Sequence, residues 1–261
     1  MAESPSYVII GQGRWAHTMC DILTAERRRT TSIGETRRQP SESESSYKSR
    51  LSMAMSASGA QIAWLCVPPG LHIPVMVEAA ISAGLHTIVE KPWLCSRSQT
   101  ESLLALSKAK RLLVAIHYEY CLLESVESWR HKFDEGVGLY FGGRFTVSRP
   151  DHSAILNIDN LRSHLLAIRA YAVPKAGVAE IRCGYGLPDE RSAWVGTQDR
   201  RTGFIDFLEN HEPIIQRFIG RLEAALKGAD FPFSLEFASR VADDVDVLKW
   251  AQAGTARLGM P

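Results

Sequence analysis

Two short stretches of the chain concentrate residue types suited to chemistry. The first is Gly11-Gln12-Gly13-Arg14-Trp15-Ala16. It fits the pattern G-x-G-x-x-G/A, in which Gly11 permits a tight turn, Gly13 lets the backbone approach a pyrophosphate, and Ala16 allows close contact of helix and strand. Arg14 and Trp15 open the following helix, whose free N–H groups and positive dipole end suit phosphates. The pattern follows a predicted strand and starts a predicted helix, the context it needs; the plain alternative is an ordinary tight βα turn. The second stretch is Glu90-Lys91-Pro92, which ends the apolar run Thr87-Ile88-Val89. A buried strand has no structural need for two opposite charges at its end. The carboxyl ends of parallel strands are where open sheets receive their ligands, so Lys91 is a cation placed at a binding edge, or else a plain surface lysine.

Three further segments belong to the same edge. Past the second predicted strand lies Gly34-Glu35-Thr36-Arg37-Arg38. Glu35 could bind the 2′-hydroxyl of NAD, whereas Arg37 or Arg38 could bind the 2′-phosphate of NADP, with Thr36 a further donor. Two guanidiniums against one carboxylate tip the expectation to NADP, with NAD possible. Past the third strand, Val67-Pro68-Pro69 leads to His72. The two prolines would form a stiff wall beside the nicotinamide ribose, and Val67 is counted with them. His72 is either a cofactor contact or a capping and packing residue. Past the fifth strand stand His117, Tyr118 and Tyr120.

The elements that must position these residues alternate. Strands are predicted at 7–11, 30–34, 61–67, 86–90 and 112–117, and helices at 14–29, around 47–57, at 74–84 and at 98–111. Ser98 with Glu101 reads as a capping box for the last of these. Such alternation predicts a parallel sheet covered on both faces. The second half reads differently. A strand is predicted at 140–149 and a helix at 159–172. "VAEIRCGYG", "RSAWVGT" and "TGFIDFL" are short strands joined by turns, and helices follow at 211–228 and 234–251. Strands adjacent in sequence imply an antiparallel sheet.

Composition excludes several function classes. The chain has 261 residues, 45% hydrophobic and 23% charged, with a net charge of +1. That balance gives no electrostatic reason to expect nucleic acid or a membrane surface as partner. Five cysteines without a Cys-x-x-Cys pair read as reduced thiols of a cytoplasmic protein, not as a disulfide frame or a metal site. The N-terminus lacks the pattern of a signal peptide.

The turn at 11–16, then "CVPPGLH" and "AGLHTIVEKP", in this order, resemble the Gfo/Idh/MocA oxidoreductases, a family that takes its name in part from glucose–fructose oxidoreductase and inositol dehydrogenase. The resemblance covers residues 7–118 and is weaker beyond. It implies an α/β chain: a Rossmann dinucleotide-binding domain over 1–118, then a smaller α+β domain over 119–261 with a mainly antiparallel open sheet. That sheet would carry a homodimer or homotetramer interface. The resemblance also implies hydride transfer between nicotinamide and a small-molecule substrate. Lys91 then reaches the nicotinamide end and the reacting oxygen of the substrate, with Glu90 beside the cofactor. The family's catalytic helix corresponds to 159–172, where Asn160 and His164 lie four residues apart on one face; His164 is the candidate proton carrier. The family often has Asp where this chain has Asn160, and arginine where it has Glu119, which puts sugar-type alcohol chemistry in doubt. Tyr120 as proton donor resembles the family's thiazoline-forming imine reductases, and His117, Tyr118 and Asn160 are candidate substrate contacts. The rival reading is a non-catalytic dinucleotide sensor on the same fold.

Overall fold

The computed structural model describes residues 4–70, 72–91, 93, 95–118, 122, 178–183, 191–197, 200–206 and 211–239. The chain divides into two compact units, Met1–His117 together with Ile219–Pro261, and Tyr118–Phe218.

The first unit is built on five short strands: β1 (Tyr7–Ile10), β2 (Thr30–Ile33), β3 (Ile62–Leu65), β4 (His86–Glu90) and β5 (Val114–His117). All pair in parallel, in the order β2-β1-β3-β4-β5. The chain steps outward from β1 to β2, then returns to place β3 on the other side of β1. The strand order therefore reverses between β1 and β3, and ligands of open α/β sheets bind at that crevice. β1 and β3 are buried along their whole length, as expected of central parallel strands covered on both faces. The helices are α1 (Arg14–Ala25), α2 (Glu44–Ala57), α3 (Ile73–Ser82) and α4 (Arg97–Lys110). They bury Ala16, Met19 and Leu23, then Tyr47, Leu51 and Met55, then Met76, Val77 and Ala80, and Leu103.

The parallel sheet matches the sequence expectation; several boundaries do not. α1 ends four residues early, because the chain enters the left-handed region at Arg27 (φ 59°) and Arg28 N–H turns back to the Leu23 carbonyl. α2 starts earlier than expected: the side chain of Ser43 accepts from the Ser46 N–H at 3.1 Å, so part of the polar Ser/Glu stretch is its first turn. The capping box of α4 is formed by Ser96 with Gln99, not by Ser98 with Glu101. Glu101 pairs instead with Arg97 one turn away, at 3.0 Å.

The chain also crosses the single boundary expected at 118/119 a second time. From Ile219 the helix α5 (His211–Ala225) belongs to the first unit. Glu223 accepts from the Tyr7 hydroxyl at 2.8 Å and from Arg28 Nε at 2.6 Å, and Arg28 also pairs with Glu26. Burial, reinforced by the Glu223 carboxylate, pushes the Tyr7 phenol well above its ordinary value. Further on, the Ile116 N–H donates to the Phe233 carbonyl at 2.9 Å and Ser234 bridges Ala115 antiparallel. This segment covers the otherwise open edge of β5.

In the second unit, β6 (Val178–Cys183), β7 (Arg191–Thr197) and β8 (Arg200–Asp206) form an antiparallel sheet in that order. The expected strand at 140–149 and helix at 159–172 lie outside the described residues. No helix among the described residues is long and apolar enough to cross a membrane.

One ring at the start of β4 has a pH consequence. His86 Nδ1 accepts the Leu113 N–H at 3.0 Å, a bond that needs an unprotonated ring nitrogen. Burial lowers the His86 pKa below 6.5. The unfolded chain therefore binds the proton first, and stability falls as pH drops through about 6.5 and below. Urea unfolding from pH 7.5 to 5 should show that loss. His86→Asn, whose side-chain oxygen can accept in place of Nδ1, should flatten it; an unchanged slope would remove His86 as the cause.

Candidate functional site

Gly11 and Gly13 turn out to need their missing side chains for opposite reasons. Gly11 has φ +141°, and a Cβ there would lie 2.3 Å from the carbonyl oxygen of Cys66 on the neighbouring chain exit. The turn is pinned on both sides, by Gly11 N–H to the Ile33 carbonyl at 3.0 Å and Cys66 N–H to the Ile10 carbonyl at 2.9 Å. A Cβ on Gly13 would meet nothing within 4 Å. Gly13 is the N-cap of α1, without a side-chain cap and with no acidic residue in the first turn. A helix start leaves its first N–H groups without intrahelical partners, and the space open beside Gly13, at the crevice between β1 and β3, fits a pyrophosphate. Arg14 is exposed there, Trp15 is half-buried and Ala16 is buried against the sheet.

Past β2 the candidate ribose readers separate. Glu35 is exposed and accepts from Gln39 Nε2 at 3.2 Å. Arg38 Nε donates back to the Glu42 carbonyl at 2.7 Å. Thr36 N–H closes a tight turn on the Gly34 carbonyl at 3.0 Å, and the Thr36 carbonyl accepts from the Tyr47 hydroxyl at 2.7 Å. Arg37 is exposed, and no described residue pairs with its guanidinium. Gln12, which the sequence reading passed over, lies across the end of β2: a Cβ on Gly34 would meet its Nε2 at 2.5 Å. Past β3, Val67 is buried while Pro68 and Pro69 are exposed. His72 is the N-cap residue of α3 but makes no side-chain cap bond, so the capping alternative falls away.

The ends of β3, β4 and β5 share one carboxylate. Glu90 Oε1 accepts from Trp64 Nε1 at 2.8 Å and pairs with His117 Nδ1 at 2.9 Å. A carboxylate only accepts, so Nδ1 of His117 carries the proton. The imidazole meets the Trp64 ring edge-on at 5.0 Å and stacks with Trp15 at 6.3 Å. His117 is wholly buried. Its surroundings differ from the open substrate contact expected of it: it braces Glu90 and Trp15 from behind. Glu90 likewise spends its carboxylate oxygen Oε1 inside the sheet. Lys91, the next residue, is half-buried at the strand end. Trp64 had no role in the sequence reading, although a tryptophan in a fully apolar strand must find an acceptor for its N–H. Tyr118 is buried; Tyr120, Asn160 and His164 lie outside the described residues. Burial pushes the Cys66 thiol well up and that of Cys95 up to about 12, which makes poor nucleophiles of both. Among the described residues no cluster could hold a metal ion.

A glycine turn opening a helix at the switch point of a parallel sheet, with Lys91 at the end of β4, defines a Rossmann-type dinucleotide-binding unit. Residues 6–118 match the oxidoreductase family with NAD-binding Rossmann fold, Gfo/Idh/MocA. Those residues are similar to that family, which is one of oxidoreductases. Solved structures share the fold. A UDP-N-acetylglucosamine 3-dehydrogenase from Acidithiobacillus ferrooxidans has 15% identity and a TM-score of 0.67, covering 94% of this chain and 97% of its own. An inositol dehydrogenase homolog from Azotobacter vinelandii, complexed with NADH and myo-inositol, has 11% identity and a TM-score of 0.66, covering 94% of each chain. The WlbA dehydrogenase from Chromobacterium violaceum, in complex with NADH and UDP-GlcNAcA, has 14% identity and a TM-score of 0.63, covering 97% and 95%. The comparison with curated proteins gave no match.

The two glycines should therefore fail differently. Gly11→Ala should lower the melting temperature, since the new methyl group overlaps a backbone oxygen at a positive φ. Gly13→Val should keep the wild-type melting temperature and lose dinucleotide affinity, read by nucleotide fluorescence titration. Unchanged affinity in Gly13→Val would retire this turn as the pyrophosphate site.

Proposed function

We propose that the chain is an NADP-preferring oxidoreductase that moves a hydride between nicotinamide and a carbonyl/alcohol or imine/amine carbon of a small metabolite. The observation that carries the reading is the coincidence, at one edge of the sheet, of the open Gly13 turn with Lys91. The two ends sit two strands apart, roughly 10 Å by ordinary strand spacing, which suits a dinucleotide laid across the edge.

Gly11, Gly13, Arg14, Trp15 and Ala16 would hold the pyrophosphate, with Val67, Pro68, Pro69 and His72 walling the next stretch. Bound nicotinamide supplies the hydride donor or acceptor. The Lys91 ammonium hydrogen-bonds the substrate oxygen or nitrogen and stabilises negative charge as it develops there. His164 or Tyr120 holds the proton that must reach the same atom. Asn160 cannot supply the negative charge of the family's frequent Asp, so a histidine at 164 would work without that partner. Imine substrates suit this loss. A homodimer or homotetramer through the C-terminal sheet, and a cytoplasmic setting suited to the free thiols of Cys20, Cys66 and Cys95, complete the reading. The preference for NADP is supported by Arg37, exposed past β2 while Glu35 is engaged by Gln39.

Lys91→Ala should lower turnover more than about tenfold, or about 1.4 kcal/mol of transition-state stabilisation, while NADPH still binds. Steady-state assays against a carbonyl and imine panel, with a parallel binding titration, check this. Near-normal turnover would make Lys91 a surface lysine. A wild type that binds dinucleotide yet turns over nothing on the panel would favour the sensor reading.

A further inference from the structure

The loop that follows β2 is shaped by a residue outside it. Arg50 on α2 donates from Nη1 to the Glu35 carbonyl at 3.1 Å and from Nη2 to the Arg37 carbonyl at 2.9 Å. Its Nε and Nη2 also hold the two Glu42 carboxylate oxygens, at 2.8 and 3.1 Å. Tyr47, whose ring centroid lies 5.5 Å from the Arg50 guanidinium carbon, donates its hydroxyl to the carbonyl in between, that of Thr36, at 2.7 Å. Three consecutive carbonyls are thus drawn to α2. The carboxylates are occupied as well: Glu42 by Arg50 and the Gln39 N–H at 3.1 Å, and Glu35 by the Gln39 amide. The Arg50 hydrogen bond holds the Glu42 carboxyl below the usual carboxylate range.

An exposed loop of mixed charge would ordinarily present its acceptors and its carboxylates to an approaching anion as readily as its cations. Here Arg50 collects the acceptors. Arg38 turns its Nε to the Glu42 carbonyl at 2.7 Å. Arg37, whose own carbonyl is one of those fixed, is the exposed guanidinium at the end of β2 that no described residue engages. Only a guanidinium can do this: its planar fork serves several oxygens at once, where an ammonium is a single point charge.

We propose that Arg50 is a positioning residue for cofactor selectivity, holding the Glu35–Glu42 loop so that Arg37 meets a ribose 2′-phosphate monoester. This rests on the reading that the end of β2 receives the adenosine ribose of NADP. Arg50 itself touches no cofactor.

The test uses the full chain and two small probes, adenosine 2′,5′-bisphosphate and 5′-AMP, with dissociation constants by calorimetry alongside those of NADPH and NADH. The wild type should bind the bisphosphate at least about tenfold more tightly than 5′-AMP, and Arg37→Ala should abolish that preference. Arg50→Met should reduce the ratio to within about twofold while the 5′-AMP and NADH constants hold, because the pyrophosphate turn is untouched; Arg50→Lys should fall between. If Arg50→Met melts too low to titrate, Tyr47→Phe is read instead, with a severalfold loss of preference expected and the ring packing retained. Equal weakening of both probes in the Arg50 or Tyr47 variant, or an unaltered ratio, would overturn the clamp. Where Arg37→Ala abolishes the preference and Arg50→Met does not, the clamp alone falls. A wild type with no preference for the 2′-phosphate would sink both the NADP reading and the clamp.

Discussion

A single carboxylate oxygen, Oε1 of Glu90, gathers the last three strands of the parallel sheet at their carboxyl ends. Trp64 reaches it from β3 and His117 from β5. A carboxylate withdrawn from water is costly unless fully bonded, and hydrogen bonds to a charged group are worth about 1.5–3 kcal/mol each. The three strand ends are therefore locked together in register, and the chain leaves β4 from a fixed point. Lys91 is the next residue. Its ammonium therefore starts from a backbone that Glu90 anchors. The same network reaches the glycine turn, because Trp15 stacks on the far side of His117. Disturbing the end of β4 would thus be felt at the start of α1.

Each part of this sheet edge is shaped by a different kind of force. At Gly11 the constraint is steric: backbone from β1 and from the exit of β3 approach so closely that no side chain fits. At Gly13 it is the opposite, space kept open above a helix start. Past β2 it is electrostatic, a set of carbonyls and carboxylates held by Arg50. At β4 it is a part-buried, hydrogen-bonded carboxylate. The second keeps space open, and the others fix backbone or carboxylate groups that hold the frame still around it.

The parts of the fold carried by local pattern were legible in the sequence. The alternation of apolar strands with helices predicted the parallel sheet, and the glycine turn followed from its spacing and context. Helix ends were less legible, because competing caps differ by one or two residues: Ser96 and Ser98 both stand before a residue able to complete a capping box. The partners of Glu90 and His117 were not legible for a different reason. Both sit at strand ends that face a binding edge, and sequence cannot tell whether such a side chain turns outward or folds under to a neighbour on the adjacent strand. Trp64 held the clue, a buried N–H in need of an acceptor. Arg50 left no signal at all. It stands fifteen residues from Glu35 on a helix of ordinary polar composition, and its importance exists only once the loop has folded around it.

The division of the chain into units follows from what each end of the sheet requires. β5 is an edge strand, and an uncovered edge offers its N–H and C=O groups to any other chain. The segment at 231–234 takes that place, with Phe231, Phe233 and Phe237 packed edge-to-face above it at 5.7 Å. At the opposite end of the strands, Arg28 and the Tyr7 hydroxyl depend on Glu223. Arg28 is half-buried there, and without Glu223 its guanidinium would keep Glu26 alone as a carboxylate partner. The dinucleotide-binding unit is thus completed by residues more than a hundred positions downstream of β5. Cutting the chain at 118 would remove both the cover and the counter-charge, so the sequence segment that matches the family is not by itself the structural unit.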